Sequence, residues 1–85
     1  MIIQDIITID PEILGGTPVF KGTRVPISSL YEHLESGITI DGFLDDFPSV
    51  QKESIIQLLE VSKVSILSLA TSQNFNENTN RRKSA

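Results

Sequence analysis

The chain has 85 residues, no cysteine and a formal net charge of −4, from 11 acids against 7 bases. That length accommodates one domain, near the size at which a single core is marginal, and the cysteine count excludes a disulfide staple and a thiolate metal site. No unbroken run of about 18 apolar residues is present, so no membrane span is expected; residues 1–5 lack the basic start and apolar core of a signal peptide, so a cytoplasmic location is expected.

Charge is unevenly placed. Through Ala70 ten acids stand against four bases, whereas from Thr71 onward Glu77 stands against Arg81, Arg82 and Lys83. An acidic body is a poor surface for nucleic acid, whose binding comes largely from neutralising phosphates. A small domain without staples gains stability by associating, which predicts a homodimer or a constant partner.

In chain order, the β-branched residues Ile6, Ile7 and Ile9 predict a first strand over residues 6–9, ended by Asp10-Pro11. Residues 11–14 have the composition of one helical turn, closed by Gly15-Gly16. Two short apolar runs, residues 18–20 and 23–25, flank Lys21-Gly22 and read as a hairpin with Gly22 at positive φ. The element is then a small three-strand one. Residues 10–26 hold three of the five glycines and three of the four prolines, the punctuation of a tightly wound path.

After Pro26, apolar residues Ile27, Leu30, Tyr31 and Leu34 recur at helical spacing, and Gly37 sits where a C-terminal cap belongs. Thr39 is an N-cap candidate for a second helix with Ile40, Phe43, Leu44 and Phe47 on one face and Asp41 in the first turn. Pro48 ends it. A third and longest helix follows to about Ala70, with Ser49 its better cap by chemistry. Its apolar residues Ile55, Ile56, Leu58, Leu59, Ile66, Leu67, Leu69 and Ala70 spread over about half the circumference. That stripe is wider than one small core needs. Ile66 and Leu69 lie where the core runs out and are the candidates for a dimer contact. Residues 1–70 thus read as the domain, and residues 71–85 as a flexible, Asn-rich polar tail with a basic end.

Few residues point to chemistry. His33 is single and off the apolar stripe, which reads as solvated surface, since catalysis or metal binding needs companions. Glu32, Glu35, Asp41, Asp45 and Asp46 are explained by capping and solubility more simply than by a cation site, and no calcium-type loop is present. Arg24 either bridges to Asp10, Glu12 or backbone carbonyls, or contacts a partner or phosphate. The second and third helices form a helix-turn-helix-like pair, with Gln51, Lys52, Ser54 and Gln57 as the DNA-contact candidates. No nucleophile–base pair, metal cluster or phosphate-binding glycine loop is legible, so neither an enzyme nor a cofactor is expected.

The run Gly15-Gly16-Thr17-Pro18-Val19-Phe20-Lys21-Gly22-Thr23-Arg24-Val25-Pro26 resembles the signature of the domain-of-unknown-function 433 family. Gly15, Gly16, Pro18, Gly22, Thr23, Arg24 and Pro26 carry the motif. The resemblance covers roughly residues 6 to 60 and includes the acidic-aromatic-proline step Phe43-Leu44-Asp45-Asp46-Phe47-Pro48. It implies an α+β fold: short strands and a hairpin, then a three-helix, helix-turn-helix (homeodomain-like) unit. The family pattern places the capping residue of the third helix at Gln51 rather than Ser49.

Many members look like VapB-like antitoxins of a PIN-like ribonuclease toxin. The function implied is a type II antitoxin that binds and silences such a toxin, with co-repression of its own operon through operator DNA. Phe75 is then a candidate apolar anchor, and Arg81, Arg82 and Lys83 candidate contacts to the toxin's carboxylates. The alternatives are a helix-turn-helix regulator without a toxin and a structural dimeric adaptor. One departure stands out: where the family carries small residues, often paired alanines, this chain has Ile56-Gln57-Leu58-Leu59-Glu60-Val61. Bulkier residues prevent the same close helix approach.

Overall fold

Left-handed backbone at the glycines turns the N-terminal third back on itself. The computed structural model describes the backbone of residues 3–77 and the side chains of residues 3–72. Strand β1 (Ile7–Thr8) pairs antiparallel with β2 (Val19–Phe20), with Ile7 opposite Phe20 and Thr8 opposite Val19. Between them, Leu14–Gly16 forms a short 3₁₀ turn in which Leu14, Gly15 and Gly16 have φ of 48°, 64° and 93°. A single turn precedes it at residues 11–13, within the expected 11–14, closed by the Ile13 N–H donating to the Asp10 carbonyl and supported by the Glu12 N–H donating to the Asp10 carboxylate.

The chain reverses again at Phe20-Lys21-Gly22-Thr23, with Gly22 at φ 80° as expected of a type II turn. The third strand expected over residues 23–25 is not formed; an isolated bridge between Val19 and Pro26 takes its place. Thr23 is the reason. Its hydroxyl donates to the Phe20 carbonyl at 2.8 Å and accepts from the Val25 N–H at 3.0 Å, so a side chain stands in for ladder partners. Pro26, with no N–H, then prevents continuation.

Helix α1 (Ile27–Glu35) begins with the Ile27 N–H on the Pro18 carbonyl, at 3.0 Å. It ends in a Schellman motif: Gly37 has φ 90°, its N–H donates to Leu34, and the Ile38 N–H donates to His33. Helix α2 (Ile40–Asp46) is capped by Thr39, whose hydroxyl accepts from the Gly42 N–H at 3.0 Å. Helix α3 (Lys52–Glu77) starts directly after Gln51, whose carbonyl accepts from Ser54, so the start follows Gln51 rather than Ser49. Its helical backbone continues past Ala70 to Glu77, which corrects the expected end of the helix.

Ile6, Val19, Phe20, Val25, Leu30, Phe43, Val50, Ile55 and Leu58 make the buried core, between the strands and the three helices. The α1 and α2 faces legible in the sequence pack on it: Ile27, Tyr31, Leu34, Ile40, Leu44 and Phe47 are partly buried against the cluster. Of α3, only the first three turns take part. The arrangement is α+β, a two-stranded antiparallel sheet followed by three helices.

Candidate interaction surface

The proximal half of α3 is held by specific contacts. Ile55 and Leu58 are buried, Leu59 and Val61 half-buried, and Ser62 Oγ lies 2.8 Å from the Tyr31 hydroxyl of α1. One turn later the contacts stop. Val64, Ile66, Leu67 and Leu69 are each more than half exposed, at 54%, 60%, 59% and 55%. The dimer candidates Ile66 and Leu69 thus stand in solvent. At 100° per residue they continue the stripe of Ile55, Leu59 and Ser62 past the end of the core. Within Lys52–Ser72 an 18-residue window reaches a mean hydropathy of 1.3, enough to cross a membrane by length and composition alone, although its first half packs into the core. Its many Ile, Leu and Val residues and few charges keep the average high although serines and charged residues break every apolar run.

The α2–α3 corner is shaped by the Val50 N–H donating to the Phe47 carbonyl at 3.0 Å and by burial of Val50. Of the DNA-contact candidates, Gln51 and Lys52 are exposed and Ser54 and Gln57 half-buried. Gln51 and Ser54 line a cleft of about 270 Å³ with Lys21, Thr23 and Ser49, which joins the hairpin turn to the start of α3. Lys52 does not stand free: its ammonium lies 3.4 Å from the Asp41 carboxylate, with both side chains largely in solvent. Such an exposed pair is worth little to stability, but it lowers the positive charge this end of α3 offers to a phosphate.

Arg24 departs from its structural reading. It is exposed and makes neither an ion pair nor a hydrogen bond to Asp10 or Glu12; Asp10 is occupied by the Glu12 N–H. Among the described residues its guanidinium makes no ion pair.

His33 is not simple solvated surface. Its Nδ1 donates to the Ser29 carbonyl at 2.8 Å and its Nε2 faces the Asp46 carboxylate at 3.2 Å. Its ring stands edge-on to Phe43 and Phe47, at centroid distances of 5.1 and 5.5 Å. The imidazole therefore clamps α1 to α2. The spacing from His33 to Ser29, one helical turn back, was the legible half of this; Asp46 was not, because it reaches His33 only through the α1–α2 turn. Among the described residues, no three His, Asp or Glu side chains gather closely enough to hold a metal ion. The Phe75 side chain and Arg81, Arg82 and Lys83 lie outside the described residues.

Comparison with known proteins adds a family and a relative. The family described as "Protein of unknown function (DUF433)" matches residues 7–60. An uncharacterized protein of Sinorhizobium fredii, y4eO, is 40% identical over 52 residues, which cover 61% of this chain and 24% of that protein. The chain thus spans about a quarter of that relative's length. No solved structure matches the chain.

Proposed function

The chain belongs to the DUF433 family, and on that premise we propose that it is a non-enzymatic antitoxin: it binds and silences a PIN-like ribonuclease. The observation that supports this reading is the distal half of α3. A helix that leaves Ile66 and Leu69 in solvent, in line with a face that is buried one turn earlier, presents a partner-binding surface. The nuclease comes from the family resemblance. The basic end, Arg81, Arg82 and Lys83, supplies the charge that suits the carboxylates such an enzyme gathers around divalent metal. Operator binding belongs to the complex rather than to the free chain, because the body is acidic and Lys52 already faces Asp41.

The test is to express the reading frame beside this chain's gene, ask whether its product cleaves RNA, and measure whether this chain inhibits that cleavage. The full chain inhibits it, and Ile66→Asp with Leu69→Asp weakens inhibition by about tenfold or more, since each aliphatic side chain taken from water contributes roughly 1.5–3 kcal/mol. Removing residues 75–85 weakens it as well, and Arg81→Ala with Arg82→Ala gives part of that loss. Full inhibition by the Asp variant, or tight sequence-specific operator binding by the chain alone, overturns the proposal; the second result favours a regulator that needs no toxin.

A further inference from the structure

We infer that α3 carries a second, self-complementary face on which two copies of this chain pair antiparallel. The face is made by Ile56, Glu60, Lys63 and Leu67, which follow one another in steps of four, three and four residues, the spacing of a coiled-coil seam. All four are exposed: Ile56 by 50%, Leu67 by 59%, and the side chains of Glu60 and Lys63 by 56% and 61%. The face lies away from the core. At 100° per residue, it is about a third of the circumference from Ile66 and Leu69, so it is distinct from the surface assigned to the nuclease.

The order of residues identifies the occupant. A two-fold axis passing between Val61 and Ser62 brings Ile56 of one copy opposite Leu67 of the other. The same axis brings Glu60 opposite Lys63, and each pairing occurs twice, as an isologous interface requires. Two apolar layers then flank a central layer of two crossed ion pairs, over a seam about 16 Å long. A parallel pairing would set Glu60 on Glu60 and Lys63 on Lys63, so charge selects the antiparallel one. Within one chain Glu60 and Lys63 already lie 3.1 Å apart, so pairing adds a second partner to each charge without leaving either unpaired. The seam has only two large apolar residues per copy, which makes a weak, salt-sensitive dimer the expected product.

Sedimentation velocity of the full chain, from micromolar to millimolar concentration at low salt, tests this without any nuclease present. The wild type shows a reversible monomer–dimer equilibrium. Glu60→Lys and Lys63→Glu each weaken it by about tenfold or more, because each puts like charges across the seam. Mixing those two variants restores association, since the mixed pair again sets each charge against its opposite. Leu67→Asp weakens the dimer and Ile66→Asp leaves it unchanged. Far-UV circular dichroism shows that each variant keeps its helix content. A wild type that stays monomeric throughout overturns the inference. So do charge variants that dimerise like the wild type, a mixture that fails to reassociate, or a dimer lost in Ile66→Asp but kept in Leu67→Asp. A monomer that instead pellets with phosphatidylglycerol vesicles also overturns it and assigns the face to lipid.

Discussion

The two halves of α3 have nearly the same aliphatic content and opposite fates. From Lys52 to Ser62 the helix is a core element: Ile55 and Leu58 are buried and Ser62 is bound to Tyr31. From Lys63 to Ser72 every side chain is exposed, including Val64, Ile66, Leu67 and Leu69. Hydrophobicity alone does not place a residue inside; it does so only where another element is there to cover it. The strands, α1 and α2 together reach only the first three turns. The remainder is apolar surface that no other described element covers, and the cost of leaving it in water favours any molecule that does.

Substitutions along the chain break or sharpen this contrast. The largest effect belongs to Ile55→Ala, which empties part of the core and lowers stability by about 2–5 kcal/mol, read by urea denaturation. Gly22→Val comes next, at about 1–3 kcal/mol. The site has open space around it, so the cost is backbone alone: φ of 80° is a conformation that valine resists. A smaller loss, about 1 kcal/mol, follows Tyr31→Phe, which removes the last hydrogen bond joining α3 to α1. Ile66→Ala is the smallest, within about 0.5 kcal/mol of wild type in the same titration of a dilute sample. A loss at Ile66 equal to that at Ile55 would erase the distinction between the halves.

The sequence shows where periodicity and local chemistry govern. The faces of α1 and α2 were legible from their spacing, Gly37 and Thr39 from capping rules, and Gly22 from the turn that needs it. The failures have physical causes. Thr23 replaced a strand's ladder with its own hydroxyl, a competition that composition does not decide. Leu14 adopts φ of 48°, a conformation expected of the glycines that follow it, so the left-handed stretch begins one residue before them. The end of α3 was placed too soon because serine, threonine and asparagine are modest helix formers, and propensity is only a weak prior. His33 looked solitary because its carboxylate partner lies across a turn. For the surface, the excess apolar stripe was visible in the sequence, but its division into a covered half and a bare half depended on how far the other elements reach. Arg24 had two open readings in the sequence, and among the described residues it forms no ion pair with Asp10 or Glu12.

Amide hydrogen exchange along α3, followed in dilute full-length chain with and without a saturating amount of the PIN-like nuclease proposed as its partner, tests the central claim most directly. In the free chain, amides of residues 56–62 exchange only through unfolding of the whole domain, and those from Ser65 onward exchange much faster through local opening. Adding the nuclease slows exchange from Ser65 onward. Uniform protection of α3 in the free dilute chain, or a distal half whose exchange the nuclease leaves unchanged, would contradict the division of α3 into a core half and a partner-binding half.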